Sequence, residues 1–234
     1  MLKVVSFKIC PFVQRVTALL EAKNIPYEIE YISLSDKPQW FLDISPNAQV
    51  PVVITDDGTT LFESDAIIEY LEEANPPLQK GLNPEQKALN RAWSYLASKN
   101  YLVQCSAQRS GDAEILAERS TKFARVFDKA EKQLTGSRYF NGNDLGMVDI
   151  AWLPLLDRAH IIEENTGYDF IGSRPKVKAW QKNLLATGLA KKSVATDFEA
   201  AFKDFYLSDK TYLGRGCDTD CSGFDKACDT GPCC

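Results

Sequence analysis

The sequence predicts an α/β domain followed by an all-α domain, and three observations support this. Residues 1–75 alternate short apolar runs with helical periodicity in the order β-α-β-α-β-β-α. Residues 76–83 are rich in helix breakers and predict a linker. Residues 84–206 show helical spacing throughout, which predicts a helical bundle. The polar, cysteine-rich residues 207–234 cannot bury an apolar face, and we expect a disordered tail there.

The composition excludes several classes of function. Lys and Arg total 27 against 32 Asp and Glu, a net charge of −5 without a basic block, so no nucleic-acid partner is expected. No uncharged apolar stretch approaches the roughly 18 residues of a membrane span, and the first residues do not resemble a leader peptide. We therefore expect a cytoplasmic protein without a membrane partner. The single histidine, His160, leaves no multi-histidine metal site, and we expect no bound metal.

The first domain begins with a predicted β-α-β unit. Residues 2–7 form the first predicted strand, and Pro11 suits the first position of the helix that follows, which places Cys10 at the N-cap. Residues 24–26 end this helix, and residues 27–32 alternate as a second strand that should be parallel to the first. A short helical turn within 35–42 is expected to begin around Lys37 and Pro38. A hairpin of 50–54 with 59–62 and a helix with Ser64 as its N-cap complete the domain.

Cys10 is the main candidate for chemistry. The unpaired N–H groups and the positive end of the helix dipole favour a thiolate at an N-cap. The alternative is a buried structural cysteine. A dithiol oxidoreductase would carry a second cysteine three residues later, where this chain has Val13, so an external thiol would have to resolve any Cys10 disulfide.

Four stretches carry a resemblance to a known family. Residues 8–16 (KICPFVQRV) and 34–46 (LSDKPQWFLDISP) resemble cysteine-type glutathione transferases, the omega and dehydroascorbate reductase groups. Residues 49–52 (QVPV) and 63–67 (ESDAI) resemble the glutathione site of the wider family. The resemblance implies a thioredoxin-like first domain and an acceptor site in the helical domain. It also implies a homodimer, glutathione as cosubstrate, a small electrophilic or disulfide acceptor, and no tightly bound cofactor.

The resemblance also implies the residues of the site. Cys10 would be the catalytic nucleophile, and the backbone of Val50 would pair with the cysteinyl part of glutathione before a cis Pro51. Glu63 would accept the γ-glutamyl ammonium group. The glutathione-binding set implied in this way is Cys10, Pro11, Phe12, Lys37, Val50, Pro51, Glu63 and Ser64, with Ser64 on the γ-glutamyl carboxylate and Lys37 on the glycyl carboxylate.

Two departures from the family pattern leave alternatives open. Ile9 and Val13 stand where dehydroascorbate reductases commonly have Asp and Ser, which leaves the acceptor undecided. Gly146 stands where the family usually has Ser or Thr in a helix cap, and Asp149 is interpreted as structural. A catalytically silent glutathione-binding module and a chloride intracellular channel-like protein are the alternatives to an enzyme. Five aromatic residues are candidates for the walls of an acceptor pocket, but aromatic residues at helical spacing are more typical of a packed core, and we interpret them as core: Trp93, Tyr95, Tyr101, Trp152 and Trp180.

Overall fold

A computed structural model describes residues 1–216, and the cysteine-rich stretch from 217 lies outside the described residues. The first domain has the predicted element order. Its elements are β1 (Leu2–Ser6), α1 (Pro11–Lys23), β2 (Tyr27–Tyr31), α2 (Gln39–Ile44), β3 (Val52–Ile54), β4 (Thr60–Phe62) and α3 (Ser64–Glu73). The sheet order is β2-β1-β3-β4, with β1 parallel to β2 and the other pairs antiparallel.

Local sequence explains most of these boundaries. Helix α1 begins at Pro11 with Cys10 as its N-cap, as predicted, and ends where Asn24 adopts a left-handed conformation at φ 53°. Helix α2 has Pro38 as its N-cap, in agreement with the expected start around Lys37 and Pro38, and it continues to Ile44, two residues beyond the expected end. The prediction of Ser64 as the N-cap of α3 is wrong by one residue, since Glu63 is the N-cap and Ser64 is the first helical residue.

The second domain consists of helices. They are α4 (Pro84–Gln108), α5 (Ala113–Gln133), α6 (Met147–Thr166), α7 (Pro175–Leu185), α8 (Leu189–Lys192), α9 (Phe198–Tyr206) and α10 (Tyr212–Arg215). Helix α10 lies beyond the predicted end of the domain at residue 206. The Thr211 hydroxyl accepts the Gly214 N–H at its start, and Leu213 is buried, so regular structure continues into the first residues of the expected tail.

The core of the helical domain is aromatic. Trp152 and Trp180 are fully buried with their ring centroids 5.3 Å apart, and Tyr101 is fully buried as well. This confirms that these three side chains are core. Helices α4 and α6 are joined by hydrogen bonds to main-chain carbonyls, with the Tyr101 hydroxyl donating to Ala151 O at 2.5 Å and Gln104 Nε2 to Leu155 O at 2.9 Å.

Asp149 holds the start of α6 in place. Its buried carboxylate accepts the Gly146 N–H at 2.8 Å, the Phe140 N–H at 3.0 Å and the Trp180 indole N–H at 2.7 Å. Burial outweighs these three bonds and raises the pKa of Asp149 to about 6. The contacts support the structural interpretation of this residue, because all of them brace the helix and its neighbours.

The two domains meet along α1. The Thr17 hydroxyl donates to Ser193 O at 2.6 Å, and the rings of Phe12 and Tyr101 pack edge to face with centroids 5.0 Å apart. Lys8 forms a salt bridge of 2.5 Å with Asp197. The Cys10 turn therefore lies at the junction of the domains. Across residues 1–216, none of the helices is long and apolar enough to cross a membrane.

Candidate active site at the domain junction

Cys10 lies in the turn between β1 and α1. Its N–H donates to Phe7 O at 3.0 Å, and its carbonyl accepts the Gln14 N–H at 3.1 Å, so hydrogen bonds fix the turn on both sides of the cysteine. The side chain is 2% exposed, and its sulfur lies 4.0 Å from Val50 O. The sulfur accepts no N–H from the helix start within this structure. The helix places the thiol close to the main chain of Val50.

The segment before β3 presents its main chain beside the thiol. The Val50–Pro51 peptide bond is cis, which confirms the expectation from the resemblance. Val50 precedes β3 and pairs with no strand of the described sheet. Ser45 braces the preceding loop, because its hydroxyl accepts the Gln49 N–H at 3.1 Å and donates to Gln49 O at 3.0 Å. The Val50 main chain is therefore available on a supported loop for pairing with an extended ligand.

The turn into α3 carries the two predicted γ-glutamyl contacts. Glu63 is exposed and has φ 65° and ψ 114°, an unfavourable backbone conformation for a residue with a side chain. Its Oε1 accepts Asn47 Nδ2 at 2.7 Å. Ser64 is 5% exposed at the first position of the helix. Behind it, Asp65 is hydrogen-bonded to the fully buried Arg15 of α1, which ties α3 to the helix that carries the thiol.

A cleft of about 330 Å³ unites most of the predicted site. Its lining includes Phe12, Val50, Pro51, Glu63 and Ser64 from the predicted set. Cys10 does not line this cleft directly, but its sulfur is adjacent to Val50 O. The sequence interpretation missed the other lining residues, which are Ser45, Asn47, Gln49, Phe62 and Leu102. Proximity to the QVPV stretch could have indicated the first three, whereas nothing in the sequence pointed to Leu102 on α4.

Lys37 occupies a less direct position than expected. Its ammonium group donates to Ala48 O at 2.8 Å, and Lys37 does not line the cleft. Ala48 lies between the lining residues Asn47 and Gln49 and has φ 50°. The lysine is therefore one contact away from the cleft, beside the loop that forms one of its walls.

A second cleft, of about 540 Å³, lies on the side of the Cys10 turn that faces α9. Phe7, Lys8 and Ile9 form one wall, and Ala201 and Phe205 of α9 contribute to the other. Its surface is largely apolar. The turn that carries Cys10 is thus flanked by two clefts of different character, one rich in hydrogen-bonding groups and one apolar.

Comparison with known proteins agrees with this geometry. A family model described as the glutathione S-transferase N-terminal domain matches residues 9–74, and one for the C-terminal domain matches residues 94–187. Glutathione S-transferase omega-1 of Sus scrofa is 31% identical over 213 residues, which cover 88% of this chain and 86% of the relative. The chain belongs to the glutathione S-transferase family. The matches confirm the resemblance to the omega and dehydroascorbate reductase groups of this family of enzymes.

Further relatives place this transferase within the family. Glutathione S-transferase DHAR2 of Arabidopsis thaliana is 51% identical over 76 residues, which cover 32% of this chain and 35% of the relative. The crystal structure of glutathione transferase Omega 3C from Trametes versicolor matches with a TM-score of 0.71 and 28% identity over 83% of this chain and 89% of that one. Rice GST1 in complex with glutathione shares the fold, with a TM-score of 0.73 at 23% identity over 88% and 97% of the two chains.

Proposed function

We propose that this transferase catalyses glutathione-dependent thiol transfer or reduction, with Cys10 as the nucleophile. The observation that supports this most strongly is the placement of the Cys10 sulfur 4.0 Å from Val50 O, beside the cleft that Val50, Glu63 and Ser64 line. A glutathione mixed disulfide bound along this cleft would bring its sulfur to Cys10. The distribution of polar groups in the cleft matches the distribution of polar groups along the tripeptide.

Each polar group of glutathione has a candidate partner. The Val50 main chain pairs with the cysteinyl residue as an added strand. The γ-glutamyl ammonium group donates to the Glu63 carboxylate and takes the place of the Asn47 Nδ2 group that bonds it in this structure. Ser64 and the start of α3 donate to the γ-glutamyl carboxylate. Lys37 neutralises the glycyl carboxylate after exchanging its bond to Ala48 O for the ligand. Phe12 lines the cleft next to the Cys10 turn, whereas Pro11, the first residue of α1, is buried and does not line it.

The reaction proceeds through two thiol–disulfide exchanges. The Cys10 thiolate attacks the glutathione sulfur of a mixed disulfide, the S–S bond breaks, and the acceptor thiolate leaves and takes a proton. A second glutathione thiolate then attacks the Cys10–glutathione disulfide, which releases oxidised glutathione and restores the Cys10 thiolate. Dehydroascorbate carries no glutathione, so its reduction would consume two free glutathione molecules, which supply two electrons and two protons and leave as oxidised glutathione. Ile9 and Val13 leave the choice between these acceptors open.

The apolar cleft beside α9 is the place where the acceptor would bind. It adjoins Ile9, the residue next to Cys10, and its walls come from both domains. The aromatic residues Trp152 and Trp180 are packed in the core and do not line it. The acceptor specificity would therefore depend on α9 and on the turn from Phe7 to Ile9.

Side-by-side steady-state assays test the proposal. We expect turnover with glutathione plus a mixed disulfide or dehydroascorbate, and weak conjugation of a halogenated aromatic. Cys10→Ser should abolish thiol transfer while the protein stays folded and is still retained on immobilised glutathione. Full activity of Cys10→Ser would contradict the assignment of the nucleophile. Retention without turnover of any acceptor by the wild-type protein would favour a silent binding module.

A homodimer in the cytoplasm is part of this proposal. Large apolar side chains are exposed on neighbouring elements of the two domains: Phe62 on β4, Tyr70 on α3, and Leu89 and Leu102 on α4. We name these four residues the apolar strip. Association of two copies through the apolar strip would remove this surface from water. Fractionation of cells that express the protein tests the location.

A further inference from the structure

A group of buried polar side chains joins α1 to α6 directly behind the Cys10 turn. Gln14 of α1 donates through Nε2 to Asp157 Oδ2 at 2.8 Å, and its Oε1 accepts a hydrogen bond from Arg158 Nη1. The second terminal nitrogen of Arg158, Nη2, donates to Ile9 O at 3.1 Å. Gln14 and Arg158 are at most 2% exposed and Asp157 is 7% exposed. A guanidinium group of the helical domain therefore holds the carbonyl immediately before the thiol.

The charge of Arg158 is not balanced by an ion pair. None of the described carboxylates lies within salt-bridge distance of it, and its remaining contacts are Pro154 O at 3.3 Å and the Phe198 ring at 5.4 Å. The adjacent Asp157 carboxylate bonds to Gln14 instead. Burial raises the pKa of Asp157, whereas the hydrogen bond from Gln14 and the charge of Arg158 act in the opposite direction. An unpaired buried cation is costly, so a negative partner that forms during function would compensate it.

The other ionisable groups described around the Cys10 turn do not provide a negative charge that would neutralise Arg158. Arg15 on α1 is hydrogen-bonded to Asp65 of α3, which balances its charge. Tyr101 on α4 is neutral, because burial raises its pKa. Lys8 at the start of the turn forms a salt bridge with Asp197. Around Asp157, His160 on α6 lowers the pKa of that carboxyl and Glu199 on α9 raises it, so their effects are opposed.

We propose that Arg158 is a positioning residue for Cys10, one that holds the Ile9 carbonyl and favours the Cys10 thiolate with its unpaired positive charge. Gln14 serves this role by orienting the guanidinium while remaining neutral. This inference rests on the proposed function, in which the Cys10 thiolate is the nucleophile. It differs from a purely structural connection between domains, since that connection would not change how the thiol ionises.

Three variants and a control separate charge from geometry. Arg158→Met removes both the bond to Ile9 and the charge. Gln14→Glu pairs the guanidinium with a carboxylate while keeping an acceptor oxygen for Arg158. Because Gln14 Nε2 also donates to Asp157, this substitution is combined with Asp157→Asn, whose amide restores a donor between the two positions, and Gln14→Glu below denotes this double variant. Arg158→Lys keeps the charge and loses the bidentate geometry. Arg174→Met is the matched control. Arg174 lies in the helical domain and, like Arg158, bonds a main-chain carbonyl, that of Ile171, but its second partner is the carboxylate of Asp128.

The test measures how fast iodoacetamide alkylates Cys10. Tryptic cleavage after Lys8 and Arg15 gives a peptide with Cys10 as its single cysteine, so mass spectrometry follows this thiol alone in the full-length protein. We expect Arg158→Met and Gln14→Glu to slow alkylation roughly three- to tenfold at about pH 7. At about pH 9.5, where thiolates form without assistance, the variants should match the wild-type protein within about twofold. Arg158→Lys and Arg174→Met should stay close to wild type at both pH values.

Two outcomes would overturn the inference. Wild-type rates at about pH 7 would show that the charge does not act on the thiol, and equal slowing at both pH values would show that the residues only control access. If Arg158→Met fails to fold, Gln14→Glu decides alone. The measurement needs no turnover, so its failure is distinguishable from a failure of Cys10 as nucleophile, which the Cys10→Ser assays report.

Discussion

Lys37 donates to a carbonyl of the loop that lines the proposed glutathione cleft, so its ammonium group is close enough to bind a carboxylate of the ligand instead. The ammonium group bonds Ala48 O at 2.8 Å, between two residues that line the cleft. A lysine in this position can exchange a neutral acceptor for a carboxylate by a small movement of a flexible side chain. Its contribution should therefore depend on the presence of the glycyl carboxylate in the ligand.

Replacement of Lys37 tests this role. Lys37→Ala should raise the Michaelis constant for glutathione about tenfold or more, because a charge-assisted contact contributes about 1.5–3 kcal/mol, while the constant for the acceptor changes little. Lys129→Ala, on the exposed face of α5, is the matched control. Equal affinity of the wild-type protein for glutathione and for its glycine amide would show that the contact does not form.

At the scale of elements, the turn into α3 combines an unfavourable backbone conformation with the proposed binding carboxylate of Glu63. Glu63 has φ 65° and ψ 114°, and glycine tolerates such a positive φ better than residues with a side chain do. The carboxylate of Glu63 faces the cleft, so the residue retains a side chain where the backbone alone would favour glycine. The proposed ligand contact of Glu63 is therefore kept at a cost in local backbone stability.

Two substitutions of Glu63 test whether backbone stability and glutathione binding favour different residues at this position. At most positions a glycine is less stable than an alanine by about 0.5–1 kcal/mol, but at Glu63 the order should reverse. Glu63→Gly should have a higher free energy of unfolding than Glu63→Ala by about 1 kcal/mol, and both should bind glutathione at least tenfold more weakly. Chemical denaturation and calorimetric titration measure the two quantities. The ordinary order, with alanine more stable, would indicate that the backbone relaxes.

The accuracy of the sequence predictions also differs from one element to the next. Helix α1 and the N-cap position of Cys10 were predictable, because Pro11 and a long periodic run both indicate them. Helix α10 was missed because four residues are too few to show periodicity, and the cap of α3 was misplaced because a strained Glu63 contradicts capping preferences. Leu102 enters the cleft from α4 through tertiary packing, which local patterns do not encode. The same holds for the contact of Arg158 with Ile9.

At the scale of the whole molecule, Asp149 links stability to pH. Its pKa of about 6 in the folded protein exceeds the value of 3.8 for an unperturbed aspartate. Between about pH 4 and pH 6 the unfolded chain releases a proton that the folded protein keeps, so this group's contribution to stability is present below this window and falls as pH rises through it. The total effect is about 3 kcal/mol.

Asp149→Asn removes this pH dependence. Denaturation of both proteins at about pH 4 and pH 7 should show that the advantage of the wild-type protein over the variant shrinks by about 2–3 kcal/mol at the higher pH. The comparison cancels contributions from other titrating groups. An advantage that grows with pH would mean that the three hydrogen bonds to the carboxylate outweigh its burial.

The apolar strip makes a prediction about assembly. Leu89 is 61% exposed, and a charge placed there would have to be buried between the two copies of a dimer. Leu89→Glu should shift the mass in solution from dimer toward monomer at micromolar concentration, as measured by light scattering. Leu42→Glu is the matched control, because Leu42 is 40% exposed on α2, outside the strip. A monomeric wild-type protein would contradict the homodimer.

The burial of Cys10 also limits the shape of its reaction partners. Because Cys10 is only 2% exposed, its sulfur can be reached only by a narrow group, such as the side chain of an extended tripeptide. A folded protein that carries a glutathione adduct could react only if the adduct stands well clear of its surface. Bulky maleimide dyes should consequently label this thiol poorly while slim reagents reach it. The fold would then act as a steric filter, sorting oxidised thiols by their accessibility before any difference in chemical reactivity takes effect.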